Sequence, residues 1–441
     1  MSDLLSLLSF GANSIAATNA SIGVTSNNIA NANTEGYSRE RLDTSGAPVR
    51  VSDNLLSGQI QTAAGSLAMS QAFADALAEL EGGLTRGGSL DEQVGAMFSK
   101  VGAASAAPTD STSRDSVVAA ARALVGGIHR RAVTMATARK EADARIRDHA
   151  VSATSLAKQL ASANAAVAKT GAPSAFDARD KIAKQLGQLV GGQARIDRDG
   201  QMRYVLDGGA VLVDGKRAAA LTATSNSTTG LAKLEVVDGA SRRDVTAAIG
   251  GGAVGAQLTV RDQTIPQITT KLDQLAYDVT TSMNTVHAAN AGLDGVSGRL
   301  MFTPLTQVAG AAAAMGVDPA LDADSRLLAL GAPGAGPGDN RGALALFAVG
   351  TQPVASGGTR TIGDAALDIV SGVALSSADA QGTVTRDGLI NDHLAALRDS
   401  LAGVDTQEEL TNLARFEHAS SAMAKVVSTI DDMLGSLIER L

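Results

Sequence analysis

TSNNIANANTEGYSR, residues 25–39, closes a long uncharged segment at the start of the sequence. Upstream of it, small and apolar side chains recur at alternating intervals of four and three residues, the 3.5-residue period of a helix that packs along a seam. The seam positions are Leu4, Leu8, Gly11, Ile15, Thr18, Ile22, Thr25 and Ile29. No residue from Leu4 to Thr34 is charged, although a solvated helix normally carries charged side chains on its outer face. The segment therefore predicts a helix with protein on several sides.

The same stretch contains the signals that end this helix. Asn31, Asn33 and Gly36 tolerate left-handed backbone and turns, and Tyr37 is predicted to open an extended segment. Asn27 and Asn31 are four residues apart, so they share a face from which they can hydrogen-bond a neighbouring backbone. Taken alone, this local pattern also fits an ordinary Asn-rich helix end.

A second seam occupies the end of the sequence. Its positions alternate by three and four residues without interruption. They are Leu413, Phe416, Ser420, Met423, Val427, Ile430, Leu434, Leu437 and Leu441. Thr406 and Glu409 have the spacing of a capping box and predict the start of this helix. Two seams at opposite ends of a chain need a partner, so we expect them to pair with each other or with another copy, and to gain their order on assembly.

Composition excludes several classes of function. A net charge of −8 with 19% charged residues argues against a general nucleic-acid binder. Aromatic residues make up 2% of the chain and cysteine is absent, so neither an aromatic-lined pocket nor a thiolate metal site is expected. The five histidines form no i, i+4 pair, and no catalytic, cofactor or metal site is predicted. The sequence contains no apolar run long enough for a membrane span.

Between the two terminal segments the apolar period is mostly helical, and it changes to two in one stretch. That stretch contains Asp199–Gly200 and Asp214–Gly215, which are typical of hairpin turns. The predicted fold class is therefore mainly α with a smaller β part. The predicted elements are an extended segment at 38–66 with short strands near Val49, Val51 and Ile60, two helices within 67–107, a long helix at 112–169, a helix at 176–190, hairpins at 193–237, a helix at 250–290, a loop-rich segment at 291–340 and a helix at 363–401.

Two local patterns refine the helical part. Glycine pairs at Gly82–Gly83 and Gly87–Gly88 are predicted to separate the two helices within 67–107, the second of which begins at a capping box of Ser89 and Glu92. The long helix that follows is basic, which fits either an electrostatic contact between subunits or a solvated face with local pairs such as Lys140 and Asp143. We favour the solvated face. Its basic residues are Arg122, Arg130, Arg131, Arg139, Lys140, Arg145 and Arg147.

Both ends of the chain resemble the signatures of the axial proteins of the bacterial flagellum, the family of rod, hook and hook-associated proteins. The first end is similar to the pattern SNNIANxNTxGYxR. The last end is similar to GVNLDEExxNLxxFQxxYxAxAxVIxTxDxxxxxLL, with His418 and Ser421 where Gln and Tyr are usual. The matching N-terminal residues are Ser26, Asn27, Asn28, Ile29, Ala30, Asn31, Asn33, Thr34, Gly36, Tyr37 and Arg39.

Two inner blocks resemble the hook-associated members in particular, and DNRGALAL at 339–346 is similar to them as well. Relatives of that kind carry a large β-rich insertion after the position of Phe302, and this chain has too few residues there, so an outer domain is expected to be absent. The matching residues are Ala178, Arg179, Asp180, Leu186, Leu189, Val190 and Gly191 in the first block, and Leu258, Arg261, Asp262, Pro266, Leu272, Asp273, Leu275, Ala276, Asn284 and His287 in the second.

The resemblance implies a structural subunit at the junction between hook and filament that polymerises through paired terminal helices. It implies contacts with other copies, with the hook protein, with the second junction protein, and with an export chaperone at the C-terminal helix, where Leu434 and Leu437 are candidates. No nucleic-acid or membrane partner is expected. Asp3 stands where a signal peptide has basic residues, so the expected location, the extracellular flagellum, is reached by flagellar type III export without cleavage. The alternatives are a hook or rod protein, or a secreted helical adhesin or effector that does not polymerise.

The predicted domains are discontinuous. Residues 1–50 with 400–441 form a terminal coiled-coil assembly domain, residues 51–192 with 255–399 form a central helical domain, and residues 193–254 form a small β-hairpin region. The predicted assembly interface combines the two seams with the first signature. It consists of Leu4, Leu8, Ile15, Ile22, Asn27, Asn28, Ile29, Asn31, Asn33, Gly36, Tyr37, Leu413, Phe416, Met423, Val427, Ile430, Leu434, Leu437 and Leu441.

Overall fold

The computed structural model describes residues 2–438 and, within that range, the side chains of residues 5–436. Helix accounts for 66% and strand for 10%, which confirms the predicted fold class. The helices are α1 (Ser2–Asn31), α2 (Asn54–Thr85), α3 (Leu90–Ala106), α4 (Ser111–Thr170), α5 (Pro173–Val190), α6 (Gly252–Thr259), α7 (Ile265–Ala288), α8 (Ala311–Ala314), α9 (Pro319–Ala323), α10 (Arg341–Val349), α11 (Ile362–Ala402) and α12 (Thr406–Ile438). Within residues 2–438, no helix combines the length and the apolar composition needed to cross a membrane.

The strands form three small antiparallel sheets in sequence order. Both predicted hairpin turns are confirmed, with glycines at positive φ, Gly200 at 73° and Gly215 at 56°. Strand structure continues past the predicted end at Val237. The sheets are β1 (Glu40–Leu42) with β2 (Pro48–Arg50), then β3 (Gln193–Ile196), β4 (Met202–Val205), β5 (Val211–Asp214) and β6 (Arg217–Ala218), and then β7 (Ala220–Ser225), β8 (Ala232–Asp238) and β9 (Ser241–Asp244).

The chain divides into two compact units. Unit 1 comprises Met1–Met69, Asp148–Val254 and Thr385–Leu441, and unit 2 comprises Ser70–Arg147 and Gly255–Val384. The helices α2, α4 and α11 each contribute residues to both units, so unit borders fall inside helices rather than in linkers. This division differs from the three predicted domains, whose boundaries stay a prediction.

In unit 1, the second half of α4 supports the β-hairpins through a buried asparagine. Asn164 is 0% exposed and donates to the carbonyl oxygens of Met202 (2.8 Å) and Gly215 (2.7 Å). Its Oδ1 accepts the Met202 N–H at 3.1 Å. Residues of β8 alternate between buried and half-buried, with Leu234 fully buried, which is the pattern of a sheet with one face on a core.

The start of α2 differs from the sequence prediction, because residues 54–66 are helical rather than extended. The Asp53 carboxylate accepts the N–H groups of Leu55 (2.8 Å) and Leu56 (3.0 Å), which caps the helix. The predicted strand at Ile60 is therefore wrong. Gly65, which lies in the segment predicted to be extended, instead lets the helix approach another backbone, since a Cβ there would lie 3.0 Å from the Gly187 carbonyl oxygen.

The end of α2 also lies later than predicted. The helix continues through Gly82–Gly83, and the chain turns only at Gly87–Gly88, where φ is 86° and 92°. The predicted capping box at the start of α3 is confirmed, with the Ser89 side chain accepting the Glu92 N–H and the Glu92 side chain accepting the Ser89 N–H.

Unit 2 is built around an apolar core from α2, α3, α4, α7, α10 and α11, rich in Leu, Val, Met and Ala. The prediction of a solvated basic face on α4 is wrong for Arg131, which is 1% exposed. Its guanidinium donates to the carbonyl oxygens of Leu84 (2.8 Å), Gly88 (2.5 Å) and Gly127 (3.0 Å). Arg131 therefore satisfies carbonyl groups at the end of α2, where a helix leaves them without partners.

The predicted local pair of Lys140 and Asp143 is also wrong. Asp143 is buried and pairs with Arg147 at 2.9 Å and with Arg261 at 2.7 Å. Arg261 lies in a π-helical turn, Val260–Thr264, between α6 and α7. Apart from that turn, the predicted helix over 250–290 is confirmed, with the early proline Pro266 in the first turn of α7.

His287, at the end of α7, holds two loop segments of unit 2 together. Its side chain is 0% exposed. Nε2 accepts the Ala329 N–H at 3.0 Å, so the proton resides on Nδ1, which donates to the Arg299 carbonyl oxygen at 2.8 Å. Only a neutral ring makes both bonds at once, because an imidazolium has no nitrogen left to accept the Ala329 N–H. Burial is the main cause that lowers the pKa of His287. The hydrogen bond to the Arg299 carbonyl oxygen and the charge of Asp318 oppose the shift, and the charge of Arg299 adds to it.

We predict that acid weakens unit 2 through His287. Because the folded state disfavours the proton, this contribution is fully present above the ordinary pKa of 6.5 and is lost as pH falls through the lowered pKa of the folded state. The expected loss is up to about 1.4 kcal/mol per pH unit within that window. Urea unfolding at pH 7.5 and pH 5 measures it.

His287→Gln should lower stability at neutral pH and remove this part of the pH dependence. The exposed His393 provides a matched control, since His393→Gln should keep the parental dependence. An equally steep pH dependence in His287→Gln would contradict the assignment.

Candidate assembly surface

The two predicted seams pack against each other as the antiparallel helices α1 and α12. Gly11 lies against Val427, and the Asn19 Oδ1 accepts a hydrogen bond from Ser420 Oγ at 3.3 Å. Ile430 is buried on this seam. Half-buried positions are Leu8, Ile15, Ile22, Ile29, Leu413, Phe416, Met423, Val427 and Leu434. Leu4, Leu437 and Leu441 lie outside the residues whose side chains the structure describes.

Both terminal segments are thus helical within a single chain. This is contrary to the expectation that they gain order only on assembly. The physical reason is that each seam covers the other, so neither helix needs a second copy to bury its apolar stripe.

The two helices approach each other closely at Gly11, and this gives a testable prediction. A Cβ there would lie 2.6 Å from Val427 Cγ2, whereas a Cβ at Gly23 would meet no heavy atom within 4 Å. Gly23→Ala should therefore stabilise α1 by about 0.5–1 kcal/mol. Gly11→Ala should destabilise the pair by about 1–3 kcal/mol, because the helices must move apart. Amide exchange of residues 5–30 compares the two variants; equal slowing in both would contradict the close packing.

One flank of the pair remains apolar and exposed. Leu7, Phe10, Val426 and Met433 are 51%, 64%, 48% and 51% exposed. Each stands one residue before a seam position, and in an antiparallel pair these positions of both helices lie on the same side of the seam. We call these four residues the apolar flank.

The two sides of the pair differ in charge. The side with the apolar flank consists of the residues that directly precede a described seam position, and among these only Arg415 is charged. The opposite side consists of the residues that directly follow a seam position, and these include Glu417 and Asp431. The second side also carries Leu5, which is 56% exposed. Groups of neighbouring apolar side chains left in water mark surfaces that another protein covers.

At its base, the pair joins the first signature through a buried asparagine. Asn28 is 1% exposed. Its Nδ2 donates to the Glu40 carbonyl oxygen at 3.0 Å, and its Oδ1 accepts the Glu40 N–H at 2.8 Å and the Tyr37 hydroxyl at 2.9 Å. Burial, followed by the nearby Glu40, Asp177 and Glu409, raises the pKa of Tyr37 and keeps its hydroxyl a donor.

Residues 36–38 are held by side chains from two other helices, α11 and α5. Arg398 of α11 donates to the carbonyl oxygens of Gly36 (2.8 Å) and Tyr37 (2.9 Å). The Ser38 N–H and hydroxyl donate to the Asp177 carboxylate of α5 at 3.0 and 2.8 Å.

Arg39 ties the same segment to the start of α12. Its guanidinium forms ion pairs at 2.7 Å with Glu408 and with Glu409, and the Glu409 side chain is only 3% exposed. The predicted capping box of Thr406 and Glu409 is wrong, because the Asp405 carboxylate caps α12 by accepting the N–H groups of Gln407 and Glu408. Glu409 is thereby left to bind Arg39.

The remaining signature residues lie at the end of α1. The Asn31 side chain donates to the carbonyl oxygen and to Oδ1 of Asn27, both at 3.0 Å. These bonds stay within α1, whereas the prediction was a bond to the backbone of a neighbouring segment. The helix stop is confirmed, with α1 ending at Asn31 and Gly36 at a φ of 84°. Asn33 is exposed.

Comparison with known proteins identifies the family. Residues 77–302, just over half of the chain, match the family described as the flagellar hook-associated protein FlgK helical domain. The chain belongs to this family. It is therefore a structural component of the bacterial flagellum, as the resemblance implied, and the hook-associated assignment is preferred to a hook or rod protein and to a secreted adhesin or effector.

Relatives and a solved structure agree with the family. The flagellar hook-associated protein 1 of Bacillus subtilis is 22% identical over an alignment of 486 positions, gaps included, that covers 96% of each chain. The protein of the same name from Escherichia coli is 23% identical over 372 residues, covering 64% of this chain and 68% of the relative. The fold is similar to that of the flagellar hook junction protein FlgK from Burkholderia pseudomallei, with a TM-score of 0.69 and 14% identity, covering 78% of this chain and all of that one.

The residues that match the FlgK family, 77–302, do not include α1 or α12. The candidate assembly surface therefore rests on the structure and on the two terminal signatures. Sequence reasoning missed Arg398, Asp177 and Glu408, which hold the first signature. Asp177 directly precedes the inner block that begins at Ala178, and this is the one signal that pointed near it. Arg398 carries no pattern of its own.

Proposed function

We propose that the chain is a subunit of the hook–filament junction and that its copies assemble through the apolar flank of the α1–α12 pair. The observation that supports this most is the exposure of Leu7, Phe10, Val426 and Met433 on one side of a helix pair. Among the residues that precede a described seam position, only Arg415 is charged. Burying one side chain of this kind contributes roughly 1.5–3 kcal/mol. A subunit in a tube uses different patches toward its two neighbours, which suits a pair whose two flanks differ.

The proposed partners are other copies of the chain, the hook protein and the second junction protein, in the extracellular part of the flagellum. The role is mechanical, without a catalytic step. We also retain an export chaperone at the C-terminal helix, with export that leaves the N-terminus uncleaved. Leu434 is half-buried on the seam and Leu437 lies outside the described side chains. The neighbouring Met433, which is 51% exposed, offers a more accessible contact.

Charging the apolar flank tests the proposal. Val426→Asp combined with Met433→Asp should abolish filament attachment in a strain whose own copy is deleted, because burying a carboxylate costs several kcal/mol. The free variant should keep its helix content, since both positions lie off the seam. Electron microscopy of cells and circular dichroism of the purified chain measure the two effects.

The matched control adds the same charge at exposed loop residues, as Ser227→Asp with Ser297→Asp. This control should assemble like the parent. Normal filaments on cells that carry the Val426→Asp, Met433→Asp chain would contradict the proposed surface.

A further inference from the structure

Five consecutive residues, Gly36–Glu40, form hydrogen bonds or ion pairs with residues of four helices of unit 1. We call them the hub. Asn28 of α1 pairs with both backbone groups of Glu40. Asp177 of α5 accepts two hydrogen bonds from Ser38. Arg398 belongs to α11, and Glu408 and Glu409 belong to α12.

The bonds of the hub involve its backbone as much as its side chains. The Arg39 N–H donates to the Ala402 carbonyl oxygen at 2.8 Å, and the Val51 N–H donates to the Arg39 carbonyl oxygen at 2.8 Å. Arg398 reaches the carbonyl oxygens of Gly36 and Tyr37, and it lies 3.4 Å from the Ser38 hydroxyl. A backbone segment held at so many points has little freedom to rotate.

The hub is the segment of chain that leads from α1 into β1, and its bonds also reach the start of α12. Both members of the terminal pair are thus tied to one short segment. The buried polar groups of Asn28 and Glu409 would each lose a partner if that segment moved, and an unpaired buried polar group costs about 1–3 kcal/mol.

We infer that the hub is a joint that sets the direction in which the α1–α12 pair leaves α5 and α11, and that Arg398 is its main positioning residue. The first signature then acts inside each chain. The sequence predicts that Asn28, Gly36 and Tyr37 lie at the interface between copies. In this inference they position that interface without touching the neighbouring copy. For its effect on assembly this inference rests on the proposed function, whereas its geometric part does not.

Arg398 is distinguished from a general stabilising residue by what it bonds. Its Nη2 alone donates to two successive carbonyl oxygens and lies 3.4 Å from the Ser38 hydroxyl. Methionine retains much of the apolar length of the side chain but supplies no hydrogen-bond donor. The Arg398→Met variant thus keeps the apolar part of the side chain while it removes the bonds to the hub.

Spin labelling measures the joint directly, since the chain contains no cysteine and labels can be placed without background. Ala414→Cys on α12 and Gln185→Cys on α5 are exposed positions of unit 1. In the full-length free chain, the label-to-label distance distribution should be a single narrow peak. Arg398→Ala should shift or broaden it without loss of helix content, and Arg398→Met should do the same.

Arg386→Ala is the matched control, because Arg386 lies on the same helix with its side chain 67% exposed. It should leave the distance distribution unchanged. A parental distribution in both Arg398 variants would overturn the inference. Should Arg398→Ala fail to fold, Arg398→Met decides, and a folded Met variant with the parental distribution would overturn the inference equally.

Filament attachment provides the second arm of the experiment. Cells carrying Arg398→Ala should attach fewer filaments than cells carrying Arg386→Ala. A shifted distance with normal attachment would overturn the role of the joint in assembly. Failure of the parent and Arg386→Ala chains to reach the flagellum would instead overturn the proposed function, and the distance measurement on the free chain would still test the joint.

Discussion

Deletion of residues 405–441 is expected to abolish filament attachment while unit 2 stays folded. The deletion removes α12, and with it the partner of the α1 seam and two residues of the apolar flank, Val426 and Met433. It also removes Glu408 and Glu409, so Arg39 loses both of its ion pairs. Among the residues that the structure describes, none from this segment belongs to the core of unit 2.

The expected outcome combines two measurements on the deleted chain. Cells should grow hooks without filaments, and the purified chain should keep a cooperative unfolding transition for unit 2. The Ser227→Asp, Ser297→Asp chain serves as the assembling control. Filaments that attach normally without residues 405–441 would contradict the role of the terminal pair, and loss of the unit 2 transition would contradict the division into units.

Replacing Arg131 by methionine should cause a large loss of stability in unit 2. Methionine retains the apolar length of the side chain but leaves the carbonyl oxygens of Leu84, Gly88 and Gly127 without this donor. Unsatisfied buried groups cost about 1–3 kcal/mol each, and partial relaxation should leave a net loss of about 2–4 kcal/mol. Chemical unfolding of the full chain measures the change in midpoint.

Arg130 offers a control at the neighbouring position, since its side chain is exposed on the same helix. Arg130→Met should change the free energy of unfolding by less than about 0.5 kcal/mol, as surface substitutions do. Similar midpoints for Arg130→Met and Arg131→Met would show that the buried guanidinium contributes nothing beyond its length.

The helical class and the terminal pairing followed from the sequence, because both depend on local period. The alternation of three and four residues at Leu413–Ile430 specifies one face of one helix, and the matching alternation at Leu8–Ile29 supplies a partner. The turns at Gly200 and Gly215 likewise depend on adjacent residues only. These are features that a window of a few residues determines.

The hub and the buried arginines did not follow from the sequence, because they depend on carbonyl groups brought together by the fold. Arg398 binds backbone atoms more than 350 positions away along the chain. Arg130 and Arg131 are adjacent and chemically identical, yet only Arg131 points toward the end of α2. The glycines of α2 were misleading for a similar reason. The helix continues through Gly82–Gly83, and Gly65 lies within it, packed closely against Gly187.

The location of the protein on isolated flagella tests the central claim most directly. An electron-dense label can be attached to the loop at residues 331–340, which lies outside the terminal pair. The account predicts label at one narrow position, between the hook and the filament, on every intact flagellum. Label spread along the filament, confined to the rod, or absent from flagella that carry filaments would contradict it.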